Sequence, residues 1–286
     1  MEYTVGVNVF GDWTIIRKLG EGASGRVYEI QKEIRGLILK SALKVIQIPK
    51  SEDEVRQVLS EGMDEASVSD YFIQAVDDIE KEVRIMMNLK DNENIVRCED
   101  YQFIANENGI GGSILVRMEL LTSLRDYQMY HPMKEPEVRR MAEQLCQGLQ
   151  YCHEKGLIHR DIKPENIFVN EAGQFKLGDF GVAKTIEKST GGVSKKGTES
   201  YMAPEVYIGK EYGKNVDLYS LGLVLYKLMN RDRLPFFPIT GAFSYSEKEE
   251  ALAKRLQGEK LTPPIDASEE FGEVILKACA YRSKDR

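Results

Sequence analysis

The run His159-Arg160-Asp161-Ile162-Lys163-Pro164-Glu165-Asn166 places a carboxylate, an ammonium and an amide in one short stretch, and Asp179-Phe180-Gly181 begins thirteen residues after Asn166. Asp161 can accept the proton of an attacking hydroxyl. Asn166 and Asp179 offer oxygen ligands of the kind that Mg2+, a hard cation, prefers. Lys163 can neutralise charge on a moving phosphoryl group. Transfer of such a group asks little covalent chemistry of a protein, and positioning and electrostatics carry it.

Upstream, Gly20-Glu21-Gly22-Ala23-Ser24-Gly25-Arg26-Val27 spaces three glycines between two predicted strands. Glycine lets a backbone approach phosphate oxygens without a Cβ in the way. By itself the pattern also describes an ordinary glycine-rich hairpin. A strand comes after it rather than a helix, which disfavours a dinucleotide site. Lys44, in Ala42-Leu43-Lys44, lies on the next strand. A lone strand lysine is ordinarily a solvated surface group, and the glycine loop ahead of it supplies a reason for another role.

The elements that must position these groups are legible in part. Trp13 to Leu19, Arg26 to Ile34 and Ile38 to Ile46 read as three antiparallel strands. Residues 51–62 read as a helix. Ser51 and Glu54 form a capping box there, Val55, Val58 and Leu59 an apolar face, and Gly62 a stop. Phe72, Val76, Ile79, Val83 and Met86 recur at helical spacing and predict a long second helix. Two further strands fall near Ile95–Ile104 and Ser113–Leu120, with a hairpin turn at Asn106-Glu107-Asn108-Gly109. After Leu121 the pattern is mainly helical. Glu137 to Lys155 is amphipathic, with Val138, Met141, Leu145, Leu149 and Cys152 on one face, and Asn215–Leu228 and Ser246–Leu256 are further helices. A strand-rich beginning and a helix-rich remainder predict an α+β chain in two lobes, divided near Leu121-Thr122.

Composition sets the bounds. The 286 residues suffice for two modest lobes or one large domain. Hydrophobic content of 42% and charged content of 30% fit a soluble globular chain. A net charge of −7 gives no support to nucleic-acid binding and is compatible with basic substrates. Cys98, Cys146, Cys152 and Cys279 are dispersed, without CxxC spacing, and read as reduced core thiols. Three histidines without paired ligands argue against a structural zinc. Met1-Glu2-Tyr3-Thr4 is not the start of a secretory signal. The longest apolar stretch, Leu221 to Leu228, is interrupted by Gly222 and Lys227 and is too short to span a bilayer. The expected location is the cytoplasm, free or as the cytosolic domain of a longer membrane protein.

In type, spacing and order these motifs resemble the catalytic domain of eukaryotic-type (Hanks-type) protein serine/threonine kinases. The resemblance runs from Trp13 to Arg286 and implies a two-lobe kinase domain over 13–286, with an N-terminal lobe at 13–121 and a C-terminal lobe at 122–286. It implies an enzyme that uses ATP and Mg2+, with Mn2+ as a substitute, to phosphorylate Ser and Thr of protein substrates. Asp161 would be the base, with Lys163 beside it; Asn166 and Asp179 would hold the metal. Lys44 would reach the α- and β-phosphates, oriented by a helix glutamate. Alignment on Leu89 and Asn94-Ile95-Val96 selects Glu82, with Glu80 as the fallback. The nucleotide would meet Leu19, Gly20, Glu21, Gly22, Ala23, Ser24 and Gly25. Val27 and Ala42 would cover the adenine on one side and Phe168 on the other. Met118 resembles the gatekeeper, and Glu119 and Leu121 would offer backbone groups to the adenine edge. Thr122-Ser123-Leu124-Arg125-Asp126 looks shortened against the family, so no ribose contact is assigned.

Gly197-Thr198 and Ala203-Pro204-Glu205 resemble the family's peptide-docking segment, with Thr198 bonding Asp161 and Lys163. Asp217 resembles the aspartate that braces the catalytic loop, although the first turn of a helix favours an acid in any case. Arg286 would pair with Glu205. Arg160 and Lys184 would receive a phosphate placed by autophosphorylation on Thr190 or Ser194, and less readily on Ser189 or Thr185. A transient dimer would serve transfer in trans. Lys195-Lys196 could instead neutralise this loop and make the phosphate unnecessary.

The helix at 51–62 lengthens the Lys44–Glu82 interval beyond the family norm. It reads as a structural insertion ahead of a partner surface. The family also carries another helix after the position of Arg286, which implies a domain end beyond it. Asn230 to Phe236 resembles a segment of bacterial kinases of this type. A scaffold without activity is the weaker reading, because Lys44, Asp161, Asn166 and Asp179 all remain. A small-molecule kinase is weaker too, because such relatives generally lack the docking segment.

Overall fold

Alternation of apolar and polar residues builds the first sheet. The computed structural model describes residues 3–22, 25–180 and 198–286, apart from the side chains of Glu65, Thr198 and Glu199. Strands β1 (Asn8–Val9), β2 (Trp13–Gly22), β3 (Gly25–Ile34), β4 (Leu37–Ile48), β5 (Cys98–Ala105) and β6 (Gly112–Met118) form one antiparallel sheet in the order β1-β2-β3-β4-β6-β5. Strand β4 is central, and Ser41 to Ile46 are buried without a break, as a strand covered on both faces requires. Ile15, Tyr28, Ile30, Leu43, Val45 and Leu115 form a core with Tyr3, Val9 and Trp13 of the N-terminal segment.

Helix α1 (Glu52–Ser60) falls within the helix expected over residues 51–62, with two corrections. The Ser51 hydroxyl accepts from the Glu54 amide, but the Glu54 carboxylate takes the amide of Lys50 (2.7 Å) rather than that of Ser51. Only Val58 of the proposed apolar face is buried; Leu59 is 38% exposed. Helix α2 (Glu65–Asn88) buries Phe72, Val76, Ile79, Val83 and Met86, and packs against β4, β5 and β6. Strand β5 begins at Cys98, not at Ile95. Ile95 instead bridges Leu177, because Asn94 is tied to the neighbouring strand: its carbonyl accepts from the Leu177 amide (2.8 Å) and its side-chain amide donates to the Phe175 carbonyl (3.1 Å).

By internal packing, residues 3–91 and 96–121 form one unit, and residues 92–95, 122–180 and 198–286 another. The second contains a small antiparallel sheet of β7 (Thr122–Ser123), β8 (Ile167–Val169) and β9 (Phe175–Leu177). Its helices are α3 (Leu124–Tyr130), α4 (Glu135–Glu154), α5 (Pro204–Tyr207), α6 (Asn215–Leu228), α7 (Tyr245–Gln257) and α8 (Glu269–Ala278). The stripe of Val138, Met141, Leu145, Leu149 and Cys152 on α4 is fully buried. Helix α6 is buried on nearly every side, from Val216 to Tyr226. Strands β1, β7, β8 and β9 and helices α3 and α5 are absent from the sequence reading, since short elements carry too few periods to register in a pattern; α8, ten residues long, is absent too.

All four cysteines are free, but Cys146 is exposed, so only three are core thiols. Burial pushes the Cys98 thiol up to about 11 and those of Cys152 and Cys279 up to about 12.

Candidate active site

Helix α4 gives way at Gly156, whose φ of +74° turns the chain back toward His159. The backbone from Leu157 to Lys163 is irregular, so its polar groups need partners from elsewhere. Asp217, in the first turn of α6 and only 1% exposed, supplies them. Its carboxylate accepts the amide N–H of His159 (2.9 Å), the amide N–H of Arg160 (2.8 Å) and Nε2–H of His153 (2.8 Å). Arg160 sits at a φ of +68°, a left-handed conformation costly for a side chain with a Cβ, and Asp217 holds it there.

His159 is 2% exposed. Its Nδ1 accepts from the Asp161 amide (3.3 Å), so Nε2 carries the proton and donates to the Gly178 carbonyl (3.0 Å). Burial lowers its pKa from the ordinary histidine value; the carboxylates of Asp217, Asp161 and Asp179 and the Gly178 carbonyl oppose the shift without reversing it. A neutral ring thus joins Asp161 to the residue before Asp179. The Gly178 amide in turn donates to the Asn166 carbonyl (3.0 Å). Gly178 is therefore tied to the catalytic run on both sides, and Asp179 comes next at a φ of +60°.

Within the run, Lys163 Nζ donates to Asp161 Oδ2 at 2.9 Å and Asn166 Nδ2 donates to the same oxygen at 3.0 Å. Nδ2 also reaches the Asp161 carbonyl (2.8 Å), which fixes the amide of this 4%-exposed side chain. The geometry draws Asp161, Lys163 and Asn166 into one cluster. His159, His153 and Gly178 escape sequence reasoning. His159 stands inside the quoted run, but its type alone does not announce a strut.

Most of the residues expected to meet the nucleotide lie in the first unit. Pairing of Val27 with Lys44, Lys44 with Val116, and Ala42 with Met118 puts all five side chains on one face of the sheet. Lys44 is 7% exposed there. The three loop glycines differ. A Cβ on Gly20 or Gly22 would meet open space, whereas on Gly25, at a φ of +121°, it would come within 2.3 Å of the Val45 carbonyl oxygen. Leu19 lies at a register shift between Lys18 and Gly20 and is 38% exposed. Ala23 and Ser24 lie outside the described residues, as do Lys184, Thr185, Ser189, Thr190 and Ser194. The side chain of Thr198, and with it the expected bond to Asp161 and Lys163, lies outside them too.

Glu82 is half-buried on α2, between the buried Ile79 and Val83. Glu80 points instead to Arg84 (3.4 Å), whose side chain is 65% exposed. Glu119 is occupied on both sides by Arg97: its N–H donates to the Arg97 carbonyl (3.2 Å) and its Oε1 accepts the Arg97 amide (2.7 Å). Leu121 lies just past the end of β6. In the second unit, Phe168 pairs with Ser123 and Lys176. The segment after Leu121 forms β7 and then α3, where the Ser123 hydroxyl caps the helix and bonds the Asp126 carboxylate (2.7 Å).

Arg286, fully buried, donates Nη2–H to Glu205 Oε2 (2.9 Å) and to the Tyr281 carbonyl (3.0 Å), and lies over the Tyr219 ring. Among the described residues no group of His, Cys, Asp and Glu could hold a metal by themselves. A helix long and apolar enough to cross a membrane is likewise absent among them.

The family model described as "Protein kinase domain" matches residues 13–286. The interferon-induced, double-stranded RNA-activated protein kinase of Mus musculus is 40% identical over 149 residues, covering 48% of this chain and 28% of that protein. The cAMP-dependent protein kinase type 3 of Saccharomyces cerevisiae is 32% identical over 233 residues, covering 79% and 50%. The serine/threonine-protein kinase AtPK2/AtPK19 of Arabidopsis thaliana is 27% identical over 292 residues, covering 100% and 53%. The chain thus spans about half or less of the length of these relatives. With the family model matched from Trp13 at the start of β2 to Arg286 in its pair with Glu205, the chain belongs to the protein kinase domain family, in its serine/threonine class.

Proposed function

We propose that this domain is an ATP- and Mg2+-dependent protein serine/threonine kinase that moves the γ-phosphoryl group of ATP to Ser and Thr hydroxyls of protein substrates. The observation that carries the reading is the setting of Asp161. Its carboxylate, 15% exposed, is held by Lys163 and Asn166 in a loop whose backbone is clamped by Asp217. So held it cannot swing, and a hydroxyl brought within hydrogen-bond reach meets a fixed acceptor for its proton.

Because Nδ2 of Asn166 is turned to Asp161, its Oδ1 is the atom left to face a cation. That oxygen and the Asp179 carboxylate form a hard donor set that suits Mg2+, with Mn2+ able to substitute. Asn166 and Asp179 would hold such an ion, whose chemistry when bound would be to neutralise charge on phosphate oxygens. The chain does the rest. Lys44 engages the α- and β-phosphates, and Glu82 directs it. Gly25 lets the glycine loop run close over β4. Val27, Ala42 and Met118 offer apolar surface to the adenine. Glu119, whose N–H is already given to Arg97, offers the adenine edge its carbonyl, and Leu121 its amide.

Lys163 stabilises the transferring group, Thr198 bonds the loop, and Arg160 with Lys184 receives a phosphate placed on Thr190, Ser194, Ser189 or Thr185. The cytoplasm, which supplies ATP and keeps thiols reduced, is the proposed location.

Asp161→Asn tests the assignment. The purified variant should bind ATP as the wild type does and lose about 10²–10⁴-fold in phosphoryl transfer. Near-normal turnover would overturn it.

A further inference from the structure

Helix α7 is an unusual place for a buried cation. Its N-terminus is closed by a capping box between Ser244 and Glu247, and its C-terminus by Gly258 at a φ of +79°. The two residues it buries are Ala251 and Arg255, one turn apart. A helix that only needed to pack would put an apolar side chain at the second position. Desolvating a guanidinium is expensive, and replacing such a group by a hydrophobe of similar size is often neutral or stabilising. Packing stability is therefore a weak reason for Arg255 to be there.

What Arg255 touches supplies a better one. It is 5% exposed, and its Nη1 donates to the Ser200 carbonyl (2.5 Å), 55 residues upstream. Ser200 lies in the 3-10 helical turn Thr198–Tyr201. The next carbonyl along, that of Tyr201, accepts from the hydroxyl of Ser220 on α6 (2.8 Å), itself 6% exposed. Glu205, four residues further, is held by Arg286. Successive points of this backbone are thus fixed by buried side chains from separate elements. Of these, Arg255 comes from a helix that buries little else. Burial lowers its pKa from the ordinary arginine value, yet the guanidinium stays charged. A charge-assisted bond to a carbonyl in such a setting is strong and directional.

We propose that Arg255 is a positioning residue for the protein substrate: from α7 it fixes the Ser200 carbonyl and so sets the course of the backbone on which the substrate peptide docks. This rests on the kinase reading above. Arg255 is not among the residues assigned to the nucleotide, the metal or the base, so its loss should be felt in the protein substrate and not in ATP.

The test compares wild type, Arg255→Met and Arg255→Lys, with dephosphorylated casein as substrate. For Arg255→Met the KM for casein should rise about tenfold while the KM for ATP stays within about twofold. Hydrogen exchange over residues 198–203 should quicken about tenfold, with residues 159–166 unchanged. Arg255→Lys, which keeps one donor and the charge, should fall between the two; if Arg255→Met does not fold, the lysine variant decides by the same two readouts. An unchanged casein KM with unchanged exchange overturns the proposal. So does a loss shared equally by both substrates with faster exchange in both segments, which marks a merely structural role. If the wild type phosphorylates nothing, the kinase reading fails, and exchange over 198–203 still decides whether Arg255 anchors that backbone.

Discussion

At the scale of single residues, one carboxylate organises the loop that carries Asp161. Asp217 receives three donors from His153, His159 and Arg160. Charge-assisted hydrogen bonds contribute about 1.5–3 kcal/mol each, enough to offset the roughly 1–3 kcal/mol cost of a left-handed arginine. His159 extends the same logic toward Asp179, and it does so only while neutral. Its folded pKa is lowered by burial, so the stability it contributes is complete above the unfolded value of about 6.5. That stability is lost as the pH falls through about 6.5 toward the lower folded value, because the unfolded chain takes up the proton first. Urea unfolding of wild type and His159→Phe at pH 7.5 and pH 5 measures this. The wild type should lose more stability on acidification than the variant; equal losses would show that the ring does not titrate as described. The type and spacing of Asp161, Lys163 and Asn166 could be read from the chain, since they lie close together in it. The partners of His159 could not, since Gly178 and Asp217 are 19 and 58 residues away.

At the scale of elements, helix α2 carries the most readable pattern and the least readable role. Its buried stripe comes from period alone, and Glu82 sits beside that stripe while Glu80 turns to Arg84. If Glu82 directs Lys44, Glu82→Gln should lower phosphoryl transfer about tenfold or more and change unfolding free energy by less than about 1 kcal/mol. Parallel loss of both in an activity assay and a urea titration would assign the residue to stability instead. Helix α6 presents the opposite case. Buried all round, it lacks a stripe, and the glycine inside it looks like a weakness in the sequence. The structure gives the reason: a Cβ on Gly222 would lie 2.8 Å from the Ala278 Cβ and 2.9 Å from the Cys279 sulfur, where α8 crosses. Gly222→Ala should therefore destabilise by about 1–3 kcal/mol through overpacking, despite the better helix propensity of alanine. A midpoint equal to or above that of the wild type would refute this.

At the scale of the whole molecule, the proposed regulation can be put to the test. The Arg160 backbone is held by Asp217, and its guanidinium lies 5.5 Å from the Tyr212 ring, which gives the residue before Asp161 a fixed course. A phosphate of about −1.5 to −2 charges on Thr190 or Ser194 would pair with such a cation. Incubation with Mg2+ and ATP, then mass spectrometry, should find it in the wild type and not in Asp161→Asn, at a rate that rises with protein concentration if transfer is in trans. Absence of phosphate from both residues would reject the switch. The α+β class, the strand hairpins and the long helices come from sequence alone, because alternation and helical period are local properties of consecutive residues. The kinase resemblance is equally local, carried by runs such as His159–Asn166. What only the tertiary structure decided are the joins between distant segments: Asp217 beneath the loop, Gly25 against Val45, Gly222 against α8, and Arg255 reaching Ser200. Each depends on which backbone passes within hydrogen-bond or van der Waals reach of another. No period in the sequence records that distance, because it is set by how whole elements pack.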